Sequence, residues 1–175
     1  MERAELWQKC IDFHGHTCGG LAIGFRAALY VQELWNVGSS EDEELVCIAE
    51  TDACGVDGIQ VILGCTLGKG NLLFRLRGKQ AFNFYERKTG RSMRLVLKQK
   101  PAGMTKEQSL NYTLTQPAEK LFEIKEVHFE VPEQARIFRS FTCDCCGEVT
   151  ADSMMRLQGD KKLCLDCWEP YERFQ

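Results

Sequence analysis

The sequence predicts an α+β protein, in which helices pack on an antiparallel sheet, followed by a small C-terminal zinc finger. Three observations lead to this prediction. Apolar residues recur at helical spacing before residue 36, strand-like runs joined by glycine turns follow between residues 72 and 98, and two CxxC pairs lie near the end. We therefore expect a core domain over residues 1–138 and a finger over residues 139–175, which fits a chain of 175 residues.

The helices are predicted from apolar periodicity and from capping residues. In chain order they span residues 1–11, 21–35, 59–63, 105–115 and 116–122. The second is apolar on most of its circumference, which predicts deep burial. Asp57 is the predicted cap of the third, and Thr105 with Gln108 forms a predicted capping box for the fourth.

The strands are predicted at residues 44–50, 72–76, 80–87, 92–98 and 126–131. Gly78-Lys79 and Thr89-Gly90 have the composition of hairpin turns. The three runs between residues 72 and 98 should therefore form an antiparallel meander, and Pro132 should end the last strand.

The finger is predicted from four cysteines at the spacing C-x2-C-x17-C-x2-C: Cys143, Cys146, Cys164 and Cys167. Four thiolates at this spacing can surround a Zn²⁺ ion as a tetrahedron. Cys145 lies inside the first pair and is predicted to be spare. A segment this short buries little apolar surface, so we expect its folding to depend on the metal.

A second group of soft ligands lies near the N-terminus. His14, His16 and Cys18 occupy alternate positions, which in an extended segment point to one side. Cys18 also precedes a predicted helix, where the helix dipole favours a thiolate. Cys54 and Cys65 lie in the next two glycine-rich loops. Together these residues predict a core site for Zn²⁺ or another transition metal.

The role of this core site stays open at the level of sequence. Cys18, Cys54 and Asp57 are the catalytic candidates, with Asp57 orienting a ligand or a bound water. An open coordination position would let the metal polarise a carbonyl or activate water, so enzyme activity is one outcome, whereas a closed site indicates metal carriage or structure. Cys10 and Cys47 lie on apolar faces and are expected to be buried core residues.

Two functions of other classes compete with metal binding in the core. One is a non-catalytic adaptor, whose finger and basic residues between 69 and 100 bind a partner protein or nucleic acid. The other is a thiol redox protein, in which Cys18 forms a disulfide with Cys54 or Cys65.

Composition limits the partners and the compartment. The net charge is −3 and the finger is acidic, so nucleic acid is not an expected partner. No apolar run reaches the ~20 residues of a membrane helix, and no secretory signal is visible, so we expect no membrane association. Ten cysteines without such a signal predict a reducing cytoplasm. Residues 64–70 lack the spacing of a phosphate-binding loop, which excludes a nucleoside-triphosphate site of that type.

Residues 13–24, FHGHTCGGLAIG, resemble the FHGH-x-C-x-G-L-x-x-G signature of the FmdE-like family, named after the E-subunit of formylmethanofuran dehydrogenase. CGVDGIQ at residues 54–60 and GCTLGKGNL at residues 64–72 are similar to its next two blocks. Gly19 departs from the pattern, since proline is common there. The cysteine quartet is similar to the auxiliary finger of some members.

This resemblance implies an α+β core, a homodimer and a metal-associated cysteine/histidine cleft. It also implies a treble-clef finger with a hairpin around Gly159 and a short helix after Cys167. Partner subunits of a redox or metalloenzyme complex are a further expectation, and the small-molecule ligand stays unidentified.

Overall fold

The computed structural model describes residues 2–174, with a division between Ala135 and Arg136 into two units. The helices of the first unit are α1 (Arg3–His14), α2 (Gly19–Trp35), α3 (Gly55–Leu63), α4 (Lys106–Thr115) and α5 (Ala118–Leu121). Its strands are β1 (Leu45–Ala49), β2 (Leu72–Phe74), β3 (Ala81–Glu86), β4 (Ser92–Leu97) and β5 (Phe122–Lys125). The second unit contains β6 (Ser140–Thr142), β7 (Val149–Ala151), β8 (Met155–Gln158) and β9 (Lys161–Cys164).

The sheet of the first unit has the order β2-β1-β3-β4-β5 and is mostly antiparallel, which confirms the predicted α+β class. The predicted meander is wrong in its first strand. β2 pairs with β1 in parallel, with Leu72 opposite Cys47, and it does not pair with β3. The physical reason is that α3 crosses over between β1 and β2, and such a crossover returns the chain in the same direction. The predicted hairpin at Thr89-Gly90 does form, between β3 and β4.

The predicted last strand at residues 126–131 is also wrong. The strand at this edge is β5, and the predicted helix at residues 116–122 shortens to the single turn of α5. Val127 and Phe129 instead pack against Val46, Ile48 and Tyr85 on one face of the sheet. Their alternating apolar pattern therefore arises from packing over a sheet and not from pairing within it.

Close contact between α2 and α3 organises the core. A Cβ atom on Gly24 would lie 1.7 Å from the carbonyl oxygen of Gly55, and one on Gly58 would lie 2.5 Å from the nitrogen of Phe25. Only glycine permits this approach of two backbones. Asp57 lies in the first turn of α3 and is not its cap, because the helix begins earlier than predicted, with Cys54 at the N-cap. The capping box of Thr105 and Gln108 is present on α4.

The second unit consists of two hairpins, β6–β7 and β8–β9, and Gly159 adopts a positive φ at the turn of the latter. Within the described residues no helix follows Cys167, so that feature of the expected treble clef is missing. None of the helices that the structure describes is long and apolar enough to cross a membrane.

Candidate metal centres

The finger brings four sulfur atoms together. The Sγ atoms of Cys143, Cys146, Cys164 and Cys167 all lie within 4.8 Å of one another. Each CxxC pair lies on a tight backbone turn: the amide of Gly147 donates to the carbonyl of Cys143, and the amide of Cys167 donates to that of Cys164. Cys145 is exposed and does not belong to this group.

Backbone dipoles prepare one of these sulfurs as a thiolate. The amide of Cys164 donates to Sγ of Cys143 at 3.4 Å. This contact, with further backbone donors at Cys146 and Cys145, lowers the pKa of Cys143 to about 6. Hydrogen bonding with Cys164 and Cys146 has the opposite effect on Cys167 and raises its pKa. A cation is therefore needed to hold all four as thiolates, and the set fits Zn²⁺.

The core cluster consists of His14, His16 and Cys18, whose ligand atoms lie within 4.8 Å of one another. An extended segment does not produce this convergence, contrary to the expectation from alternate spacing. His14 is the last residue of α1, Gly15 reverses the chain with a φ of 88°, and Cys18 is the N-cap of α2. The two imidazole rings face each other with centroids 4.4 Å apart. A helix end and the next helix start thus meet at one point.

Asp57 fixes the orientation of the His14 ring. The carboxylate can only accept, so Nδ1 of His14 donates to Oδ2 of Asp57 at 2.7 Å. Gln60 holds the other oxygen of Asp57 at 3.2 Å. The Nε2 atom of His14 then faces Sγ of Cys18 at 3.7 Å with its lone pair free. A carboxylate–histidine pair of this kind is typical of metal ligands.

Cys54 joins the cluster from the start of α3. The position of a Cβ on Gly20 would lie 3.6 Å from Sγ of Cys54 and 3.8 Å from Sγ of Cys18, so the two thiols border the same point. Burial, followed by hydrogen bonding with Cys18, raises the pKa of Cys54. The two thiols meet because α2 and α3 pack closely and begin at the same end.

The structure does not bring Cys65 to this cluster. Its thiol is fully buried and donates to the carbonyl oxygen of Leu45 at 3.4 Å, and burial raises its pKa to about 12. Cys10 and Cys47 are likewise fully buried in the hydrophobic core. Cys65 therefore has the surroundings of a packed core thiol, and the soft donors of the core converge from two loop regions instead of three.

Two cavities flank the core cluster. One, of about 400 Å³, is lined by His14, Cys54, Asp52 and Asp57, with the exposed apolar side chains of Leu67 and Phe74 at its edge. The other, of about 510 Å³, lies between Cys18 and the first turn of α4. Sequence reasoning missed Asp52, although its position two residues before Cys54 was a usable signal. Phe74 gave no such signal, since its place depends on the parallel pairing of β2.

Fold and clusters together define the class: a metal-binding α+β protein that carries a four-cysteine zinc finger. Residues 13–135 match the family described as "FmdE, Molybdenum formylmethanofuran dehydrogenase operon", and the chain belongs to this family. Residues 136–173 match the "Prokaryotic dksA/traR C4-type zinc finger".

Two relatives extend this comparison. A protein of Archaeoglobus fulgidus named "Probable S-adenosyl-L-methionine-binding protein" is 27% identical over 200 residues, which cover 95% of this chain. Because they cover 53% of the relative, the chain spans about half of its length. The crystal structure of an FmdE-like protein of tungsten formylmethanofuran dehydrogenase type, from Syntrophus aciditrophicus, matches with a TM-score of 0.69 at 23% identity. That match covers 95% of this chain and 92% of the other, and it supports the fold.

Proposed function

We propose that this chain binds two metal ions of different purpose: a structural Zn²⁺ in the finger and a transition-metal ion, zinc or a similarly soft one, in the N-terminal unit. The ligands of the second ion are Nε2 of His14, His16 and Cys18, with Cys54 as the fourth. The observation that carries this proposal is the convergence of three donor atoms within 4.8 Å beside a cleft.

The donor set decides the class of ion. Imidazole nitrogens and thiolates favour zinc and its borderline-to-soft neighbours, whereas Mg²⁺ and Ca²⁺ prefer oxygen ligands. Asp57 supports this choice because it holds His14 with Nε2 unprotonated, which is the form that binds a metal. An ion held here supplies a Lewis acid to a molecule in the adjoining cleft.

Metal analysis of the full chain tests the proposal, with the finger as an internal standard. Wild type should bind two equivalents, Cys18→Ser one, and Cys143→Ser one at the core. Cys65→Ser is the matched control and should keep both equivalents. Two equivalents in Cys18→Ser would remove the core site, whatever happens at the finger.

A thiol redox function is a second candidate, supported by the contact between Cys18 and Cys54. Thiol counts on metal-free protein separate it from metal binding. Loss of two thiols on mild oxidation, with the bridge mapped to Cys18 and Cys54, would favour redox chemistry. Retention of both thiols would favour the metal site alone.

A ligand for the cleft is suggested by the name of the Archaeoglobus relative. We propose that the cleft accepts S-adenosyl-L-methionine, whose sulfonium is a cation. Asp52 and Asp57 line the cleft, and no Lys or Arg is among its described lining residues. The exposed Leu67 and Phe74 offer apolar surface to the adenine.

Calorimetry with S-adenosyl-L-methionine and S-adenosyl-L-homocysteine tests this ligand, since the two differ in the charge on sulfur. We expect the sulfonium compound to bind at least about tenfold tighter, a difference of ~1.4 kcal/mol, and Asp52→Asn to reduce that preference. Equal binding of the two compounds, or none, would contradict the proposal.

We also propose a homodimer in a reducing cytoplasm, working beside the subunits of a metalloenzyme. Family membership supports this assembly. Light scattering of the full chain at micromolar concentration should give twice the mass of 20.0 kDa, and a monomer would contradict it.

A further inference from the structure

Arg26 is a buried cation in the middle of α2 without an acidic partner. The residue is 6% exposed, and among the described residues no carboxylate forms an ion pair with it. Its Nη2 donates to the carbonyl oxygen of Gln116 at 2.7 Å, and its Nε is buried with no hydrogen-bond partner. Burial of a guanidinium with this few partners is unfavourable.

Arg94 shows how this chain compensates a buried guanidinium. Its Nε and Nη2 donate to the two carboxylate oxygens of Glu50 at 2.7 and 2.8 Å. Arg26 receives only a carbonyl near the C-terminal end of α4, where the helix dipole supplies a partial negative charge. The comparison indicates that negative charge is missing at Arg26.

A cavity of about 310 Å³ lies beside Arg26, and Arg3, Tyr30 and Glu33 line it as well. Arg3 donates to the carbonyl of Leu114, so both arginines are anchored to the end of α4 and are positioned in advance. The hydroxyl of Tyr30 makes no hydrogen bond with any described residue. Burial raises the pKa of Tyr30, as do Glu119 and Glu33, so this hydroxyl keeps its proton and can donate.

We propose that this cavity binds a small zwitterion of the α-amino acid class. The carboxylate accepts from Arg26, Arg3 and the Tyr30 hydroxyl, and the ammonium group faces Glu33. A carboxylate supplies the negative charge that Arg26 lacks, and its planar pair of oxygens matches a guanidinium. A phosphate dianion fits less well, because Glu33 lines the same cavity and would repel it. The site does not depend on either metal centre.

An NMR titration of the full chain tests the site, with glycine as the probe and with acetate and inorganic phosphate as comparisons. We expect saturable shifts at Tyr30 and Ala118 with glycine at millimolar concentration. Arg3→Gln and Arg26→Gln should weaken binding at least about tenfold, as expected for a lost charge-assisted hydrogen bond. Arg77→Gln, at an exposed arginine outside the cavity, is the matched control and should leave it unchanged.

Glu33→Gln separates a zwitterion from a plain anion. It should weaken the binding of glycine and leave acetate binding as it was. Arg3 and Glu33 are exposed, so these two variants keep the test valid if Arg26→Gln does not fold. No saturable shift with glycine, equal affinity in Arg3→Gln, or phosphate binding tighter than glycine would each overturn the proposal.

Discussion

The two cysteine-rich clusters of this chain use similar donors in opposite structural settings. In the finger, the buried apolar cluster of the described residues consists of Cys143, Leu163 and Cys164, so two of its three members are ligands themselves. In the N-terminal unit, His14 and Cys18 lie at the edge of a hydrophobic core that is built from other residues, including Phe25, Phe82 and Phe84.

This difference separates a metal that makes a fold from a metal that a fold presents. Removal of zinc from the finger removes most of what holds it, because the apolar surface it buries is small. Removal of an ion from the core leaves the packed helices and sheet in place. The core cluster also adjoins open cavities, so a ligand can reach an ion held there.

The largest expected effect is the loss of the finger fold in Cys164→Ser. Structural zinc contributes roughly 10–16 kcal/mol in finger peptides, which far exceeds what this unit can gain from packing. Amide resonances of residues 140–168 should collapse to random-coil positions, while those of residues 3–125 keep theirs. Cys145→Ser is the matched control and should keep the zinc and the fold. Simultaneous unfolding of both units in Cys164→Ser would contradict the contrast between the two clusters.

The next effect concerns the packing that assembles the core cluster. In Gly24→Ala the new Cβ would lie 1.7 Å from the carbonyl oxygen of Gly55, so α2 and α3 must separate. Overpacking of this kind costs about 1–3 kcal/mol or more. Because Cys18 and Cys54 begin these two helices, core metal should be lost together with stability while the finger keeps its zinc.

Thermal unfolding and metal analysis of the same sample check this prediction. Gly38→Ala is the matched control, since a Cβ there meets no atom within 4 Å. Unchanged stability and two bound ions in Gly24→Ala would show that the two backbones leave room for a methyl group.

A third effect tests whether the N-terminal unit is held by its own interactions. Hydrogen bonds from Arg94 lower the pKa of Glu50 to about 2, from an ordinary value of 4.5. The carboxyl is 3% exposed, so the shift corresponds to about 3 kcal/mol of stability. A lowered pKa stabilises the folded state above the unfolded value, so this contribution is complete above pH 4.5 and disappears as the pH falls towards 2.

Denaturant unfolding of Glu50→Gln across that pH range checks the sign. The variant should be less stable than wild type by about 3 kcal/mol at pH 7, and the two should converge near pH 2. Glu123→Gln is the matched control, because its exposed pair with Lys125 contributes little. A constant difference between Glu50→Gln and wild type from pH 7 to pH 2 would exclude the ion pair as its source.

Sequence and structure agree where the signal is local. The spacing of four cysteines is enough to group them, and Thr105 with Gln108 is enough to begin α4. Local patterns miss the parallel pairing of β2 because it depends on α3. They also predict that helix too short because Gly55 and Gly58 have low helix propensity, whereas the structure uses glycine there for contact with α2.

Long-range features of the site are likewise beyond local patterns. Glu50 and Arg94 meet across paired strands 44 positions apart, and nothing in either segment specifies the partner. The sequence groups Cys65 with the core ligands because it lies in a glycine-rich loop. Its side chain instead points to the carbonyl of Leu45, a direction that only the folded chain determines.

The smallest effect is expected at Asp57, and it sharpens the contrast between the two clusters. Asp57→Asn keeps the size of the side chain, but an amide can offer a donor or an acceptor to Nδ1 of His14 and no longer enforces one tautomer. Loss of such a partner costs about 10–100-fold in metal affinity. Competition with a chromophoric chelator should therefore show weaker binding of the core ion, with the finger ion and the thermal stability unchanged. Gln60→Ala should lie between Asp57→Asn and wild type, because Gln60 holds only the second oxygen of Asp57. If the affinity of the finger ion falls instead, or if neither variant differs from wild type, then His14 does not bind the core ion through Nε2.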